Sequence, residues 1–535
     1  MNARAIYKYG LLLVSLLVVH GVNSVITTLS RNDPAPPYST DNPFAFCGTP
    51  HYEYLKGRAK IDSYKHFVFE VSPFYQRADH GSNSCGCTTE LGDISGRWNM
   101  IALLPFNKPT TMTTDPFPII YTNKNTDLPC GKKFPQILID TRNELLSDLQ
   151  DIVNPDNPSS LPPELKTVEG LLDLQFSTTA NDGNFGYYAV GMKYKKEGVR
   201  FNTEFYIGEG VGFTMQTGFS SIDQCASFTN RTTVQYAAYG NPFNPMARNP
   251  GSAISTVFTS TWNVPILHAV TTDLMARLDA ITSSTEIDYS LCAFHDTSID
   301  DLYGEMFWRY PAQINQLESE DNYPKFLFIP FLALGGTYAI AKPRNFSQPL
   351  SLPFGNNGHS AARVRGGFSL DFYETIQLNA EVGVTKFKGL TYCNMPMPNN
   401  DAQYPIFPFR TSAHVAPGNN WHILLGFNAH NFWYNWSANF DYIYVTHDRD
   451  CITLTGTNYA APDPDSGLTD CRSTINPFKP EVLMCISKWT SQMFNFTLNY
   501  AIAPDFSLGG LIQIPVRRKN AYTSSTFMLS LFINI

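Results

Sequence analysis

Along the second half of the chain, apolar and polar residues alternate at every second position, the mark of strands with two unlike faces. Ile376, Leu378, Ala380, Val382 and Val384 share one face; Gln377, Asn379, Glu381, Gly383 and Thr385 share the other. Val364, Gly366, Phe368, Leu370 and Phe372 oppose Arg363, Arg365, Gly367, Ser369 and Asp371. Phe494, Phe496, Leu498, Tyr500 and Ile502 oppose Met493, Asn495, Thr497, Asn499 and Ala501. Each run has about the 9–11 residues of a strand that crosses a bilayer. Further strands are predicted at Phe67–Tyr75, Tyr188–Tyr194, Val199–Gly208, Phe326–Ile340, Trp421–Ala429, Trp436–Tyr444, Phe506–Val516 and Phe527–Ile535. A closed sheet in one chain favours an even number of strands. One more is therefore expected between Ser221 and Trp308, around Ser255–Val264, for about twelve in all and between about ten and fourteen.

Short links at Lys196-Glu197-Gly198, Glu374-Thr375, Asn431–Asn435 and Ala503-Pro504-Asp505 read as hairpin turns. They alternate with long segments at 78–183, 219–323, 390–420 and 447–488. Two stretches inside the long segments carry helical rather than strand spacing. Thr141–Val153 opens on a Thr141/Glu144 capping box, and Thr271–Ile281 sets Leu274, Leu278 and Ile281 on one face. They predict short helices packed on loops, or a segment folded inward as a plug.

Alternation by itself suits a soluble sandwich as well as a barrel in lipid. The rings favour lipid: Trp421, Trp433, Tyr434, Trp436, Tyr442, Tyr444 and Trp489 stand near strand ends, where an interfacial girdle would lie. The second face carries Arg363, Arg365, Asp371 and Glu381, which suits a wet lumen. The predicted fold is all-β, a closed antiparallel transmembrane β-barrel.

The amino terminus is of another kind. Arg4 and Lys8 precede an apolar run from Leu11 to Val19, and Val22 and Ser24 are spaced for cleavage after Ser24. Residues 1–24 therefore read as a signal peptide, 25–59 as an extended leader rich in Pro and polar residues, and 60–535 as the barrel. Composition agrees. Of 535 residues, 16% are charged and 14% aromatic. A mean hydropathy of -0.19 excludes a bundle of membrane helices. The net charge of -8 leaves no basic footprint, so nucleic acid is excluded as a partner. Ten cysteines in an exported chain predict disulfides in the loops.

Motifs of chemistry are missing. The chain has no G-x-S-x-G elbow, no H-E-x-x-H zinc motif and no Walker loop, so no enzyme, cofactor or metal is expected. Asp463, Asp465 and Asp470 resemble the opening of a calcium loop but lack its full ligand set and distal Glu, so they read as a solvated acidic turn. The candidate pore-lining residues are Arg363, Arg365, Asp371, Gln377, Asn379, Glu381, His422, Asn428, His430, Asn495 and Asn499. In a conducting barrel, the inward pair Arg363 and Arg365 would favour anions.

Phe527, Leu529, Leu531, Ile533 and Ile535 form an outward apolar row that ends on the terminal residue. This row resembles the carboxy-terminal assembly signal of bacterial outer-membrane β-barrel proteins, and the chain is porin-like in size. It departs from that pattern by ending in Ile535 rather than an aromatic. The resemblance implies a place in the cell outer membrane, contact with its lipid, and recognition of the last strand by barrel-assembly machinery. It implies a pore or channel for small solutes. The alternatives it leaves are a closed or plugged barrel acting as a surface adhesin or envelope structural protein and, more weakly, a barrel enzyme such as an outer-membrane phospholipase or protease.

Overall fold

In the computed structural model the described residues are chiefly 67–94, 187–230, 289–310, 326–348, 351–398, 407–455 and 478–534, apart from isolated positions and links within these ranges. Residues 98–99 and 312–313 and short pieces of 136–144 and 276–284 complete the set. Twelve strands form the barrel: β1 (Phe67–Ser82), β2 (Tyr187–Gly208), β3 (Val211–Asn230), β4 (Leu302–Arg309), β5 (Phe326–Tyr338) and β6 (Ala361–Phe372), then β7 (Ile376–Phe387), β8 (Asn420–Trp433), β9 (Trp436–His447), β10 (Trp489–Ala503), β11 (Phe506–Lys519) and β12 (Ala521–Asn534). Each pairs antiparallel with its successor in the chain, and β12 returns to β1 with Phe74 opposite Met528 and Gln76 opposite Thr526. The sheet is closed. In lipid this is what an all-strand structure requires, because an open edge would leave unpaired backbone groups at several kcal/mol each.

The connections are asymmetric. At one rim the links are 209–210, 310–325, 373–375, 434–435 and 504–505; at the other they are 83–186, 231–301, 339–360, 388–419 and 448–488. The tight turn at Asn520, with φ of 51°, is the exception on the long-loop rim.

The strand count agrees with the sequence reading, but the assignments differ in three places. Tyr188–Tyr194 and Val199–Gly208 are one 22-residue strand, and Lys196-Glu197-Gly198 is not a turn. There the backbone is held on both sides, with Gln76 opposite Lys196 on β1 and Ser221 opposite Glu197 on β3. Val211–Asn230 is a strand of 20 residues, although its second half lies in the segment read as a long loop from 219. Leu302–Arg309, at the far end of the same segment, is also a strand. Ser255–Val264 lies outside the described residues.

Outside, the barrel is apolar. Val382, Leu425 and Ile514 are each more than half exposed, in rows with Ile376, Leu378, Ile423, Phe427 and Ile512. A monomer in water rarely bares so continuous an apolar band, whereas a lipid-facing wall needs one. The band ends sharply toward the long loops: on β1, Val71, Pro73 and Tyr75 give way to Arg77 and Asp79, and on β2, Phe201 and Val199 give way to Glu197, Lys195 and Lys193. Arg77 stands directly opposite Lys195, which sets both changes at one level. The short-turn rim carries an aromatic girdle. Trp308 stacks on Tyr310 at 6.2 Å, Trp436 lies 4.9 Å from Tyr500, and Trp433 is exposed. Trp489, expected in such a girdle, is instead buried inside the barrel and stacked on His447 at 5.6 Å. Its odd position on β10 puts it on the same face as Ser491 and Met493.

Over the long-loop rim, Leu390–Met397, Phe409–Ala416 and Cys451–Leu454 form a separate three-stranded sheet, with helix α2 (Pro480–Ile486) against the last of these strands. The sequence pattern predicts loops for these segments, and the ladders that set Leu390 opposite Val415 and Val415 opposite Ile452 make them strands instead. Asp301 anchors the 339–360 link, its carboxylate accepting from the backbone N–H of Ile340, Ala341 and Asn356 at 2.7–3.1 Å. Burial raises the Asp301 pKa above the ordinary carboxyl value. In the predicted Thr271–Ile281 helix, α1 spans Leu278–Thr282 and buries Leu278 and Ile281. The other predicted helix starts earlier than expected: residues 136–138, 140 and 141 are helical, and the Thr141 hydroxyl donates back to the Ile137 carbonyl at 2.7 Å instead of capping. Glu144 and Arg277 join the two helical segments as an ion pair.

Candidate functional site

The closed sheet turns every second side chain inward, so the site is the lumen. Its charged side is built by β2 to β8. Arg365 on β6 donates to both oxygens of Glu305 on β4 at 2.5–3.0 Å, and to Glu381 on β7 at 3.0 Å. β5 lies between β4 and β6, so this contact passes over its inner surface. Glu381 also lies 2.8 Å from His422 Nε2 on β8. Tyr303 donates to Glu305 at 2.6 Å and lies 3.3 Å from Arg363 Nη1. Toward the long-loop rim, Lys196 and Arg200 both lie 3.5 Å from Asp300, which also accepts from Ser220 at 2.8 Å. Arg309 faces Glu204 at 3.8 Å. Paired charges of this kind tolerate burial because their mutual attraction and hydrogen bonds offset part of the desolvation cost of each.

The opposite wall, β9 to β1, carries mainly amides and hydroxyls, with Asp441, Arg518 and Glu70 among them. Asp441, Asn495, Gln513, Thr526 and Gln76 stand directly opposite one another on five consecutive strands. Gln513 donates to Asn495 at 3.0 Å, Gln76 to Thr526 at 3.2 Å, and Tyr194 on β2 to Gln76 at 3.0 Å. Between the walls lies an apolar cluster in which Phe331 on β5 joins Leu424, Ile443, Val445, Trp489 and Met493 on β8 to β10.

The structure sets Arg363, Arg365, Asp371, Gln377, Asn379, Glu381, His422, Asn428, Asn495 and Asn499 on buried, inward positions. The side chain of His430 lies outside the described residues. Arg365, Glu381 and His422 form one network, while Asn428 donates to Gln377 at 3.1 Å farther along the wall. The expectation of a free positive field at Arg363 and Arg365 is not met. Glu305 and Glu381 offset the two guanidinium groups, and Glu305 lay on a strand the sequence reading had missed. Alternation was there to find: Tyr303, Glu305, Phe307 and Arg309 face in, while Met306 and Trp308 are exposed. Aromatics on both faces hid it. Of the row candidates on β12, Phe527, Leu529 and Leu531 are exposed and Ile533 is partly so; Ile535 lies outside the described residues.

Cys85, Cys87, Cys225, Cys393, Cys451 and Cys485 carry free thiols. Cys225 is on β3 and Cys393 and Cys451 are on sheet strands, whereas the cysteines were expected in loops. Among the described residues no group of three His, Cys, Asp or Glu is placed to hold a metal ion.

No protein-family model matches the chain, and no curated protein matches it. Among solved structures, an outer membrane channel from Pseudomonas putida F1 aligns over 88% of this chain and 96% of its own length, at 7% identity and a TM-score of 0.39. A FadL homologue from Pseudomonas aeruginosa aligns over 88% and 90%, at 8% identity and a TM-score of 0.26. The NanC porin aligns over 63% and 99%, at 7% identity and a TM-score of 0.24. These scores are all below 0.5, and the barrel rests on its own ladders, from β1–β2 round to β12–β1.

Proposed function

We propose that the protein is a non-enzymatic outer-membrane channel for small solutes. The observation that carries this reading is the division of the closed barrel into an apolar outer wall and an inner wall of paired charges, amides and hydroxyls. A barrel that served only as an anchor could fill its interior with apolar side chains at lower desolvation cost. The apolar cluster of Phe331, Leu424, Ile443, Val445, Trp489 and Met493 would then lie across the path and limit what passes.

The same reading includes export through cleavage after Ser24, insertion by barrel-assembly machinery acting on the last strand, and oxidation of loop cysteines at the cell surface. Amino-terminal sequencing of the envelope form should begin at Val25. Purified protein in planar bilayers should show steady single-channel openings in KCl. Silence under all voltages would overturn the channel and favour the closed adhesin or envelope structural protein.

A further inference from the structure

The inner wall from β9 to β1 repeats in three levels. The first is the hydrogen-bonded row of Asn495, Gln513, Thr526 and Gln76. Two residues along each strand, about 7 Å away, Thr497, Leu511, Met528 and Phe74 take the same places, and the last three pack with Phe532 as an apolar patch. Two residues further, Asn499, Ser530 and Ser72 return to polar groups, with Ser72 and Ser530 bonded at 2.7 Å. The wall is thus an apolar strip between two hydrogen-bonding rims.

The polar positions on and beside the rims are not all saturated by the protein. Asn495 Nδ2, Thr497 Oγ1, Asn499 Oδ1 and Ser507 Oγ make no hydrogen bond to the described residues. All four side chains are more than nine-tenths buried and face inward. A buried polar atom demands a partner, so these atoms ask for one from inside the lumen. An apolar solute would leave them unsatisfied. On the facing wall Arg200 is held by Asp300 and Arg365 by Glu305 and Glu381, so these arginines are already committed and offer little to an anionic solute.

We propose that this wall is a recognition surface for uncharged, hydroxyl-bearing solutes of monosaccharide size. Such a molecule can lay its C–H face on Phe74, Leu511, Met528 and Phe532 while its hydroxyls reach both rims. The proposal rests on the channel reading and names the solute class for it.

The test is swelling of proteoliposomes holding the full-length folded barrel, with D-glucose and D-glucuronate as probes and KCl conductance measured on the same preparation. Glucose should enter faster than glucuronate. Asn495→Leu combined with Thr497→Val should slow glucose entry about five-fold relative to KCl conductance on the same preparation, since two hydrogen-bonding groups are lost. Asn499→Leu on the other rim should slow it in the same way and serves if the double variant fails to migrate as a folded barrel. KCl conductance with equal rates for the two probes would overturn the solute class and leave the channel standing. An unchanged glucose rate relative to KCl conductance in folded variants would do the same. Absence of both current and swelling would overturn the channel itself, and the proposal with it.

Discussion

Arg365 on β6 reaches past β5 to grip Glu305 of β4, with its Nε and Nη2 within 2.5–3.0 Å of the carboxylate. The contact is a brace between strands that share no ladder. It explains why a pair of inward arginines does not make this lumen positive: each is answered by a carboxylate from a different strand.

Removing one partner should therefore matter more than removing both. Arg365→Gln leaves Glu305 and Glu381 without their guanidinium, and breaking a buried pair from one side costs about 3–5 kcal/mol. The change should show as a lower midpoint of unfolding in denaturant. The double variant Arg365→Met/Glu305→Met should recover much of the loss. In bilayers Arg365→Gln should shift ion preference toward cations, read from the reversal potential across a KCl gradient.

Gly383 makes room for the same network. A β-carbon there would stand 2.8 Å from Arg365 Cβ and collide with the His422 ring. Gly383→Ala should displace His422 from Glu381 and cost about 1–3 kcal/mol, whereas Val384→Ala on the outer face should leave the network intact. Heat-induced loss of the fast-migrating folded form, compared for the two variants, measures the difference.

The last strand closes the barrel with Leu529 outward and Ser530 inward. Leu529→Arg should destabilise insertion by about 2–4 kcal/mol if the residue lies near the bilayer midplane. Deletion of residues 526–535 should abolish the folded form altogether, because β1 and β11 would both lose their partner. Recovery of heat-modifiable protein from the deletion variant would show that closure does not depend on β12.

Acid should loosen the cap over the long-loop rim before the barrel. His359 is buried under it, its Nδ1 donating to the Lys388 carbonyl at 2.8 Å and its Nε2 lying 2.9 Å from the Tyr392 hydroxyl. Burial pushes His359 from the ordinary 6.5 down to about 4, with His414 nearby acting the same way and the Lys388 hydrogen bond opposing. Its pKa is depressed on folding, so the open form takes up the proton first as pH falls. The stabilisation is present above about 6.5 and is lost as pH falls toward about 4, at most about 3 kcal/mol. Limited proteolysis of the 339–360 and 388–419 links should accelerate between pH 7 and pH 5, and His359→Asn should flatten that dependence.

What the sequence determined by itself was the two-sidedness of its strands. Alternation at 363–372, 376–385 and 493–502 assigned the inward and outward faces, because a strand sends successive side chains to opposite sides whatever its neighbours are. The outward row from Phe527 marked a last strand for the same reason. What the tertiary structure alone decided was which strands meet. Lys196-Glu197-Gly198 reads as a turn in isolation, yet it runs straight because β1 and β3 bind its backbone from both sides. Leu302–Arg309 carries aromatics on both faces and declares itself as a strand only in its ladders with β3 and β5. The meeting of Arg365 with Glu305, 60 residues apart, depends on strand order and stagger, which are set when the sheet closes and leave no local mark on either residue's neighbours.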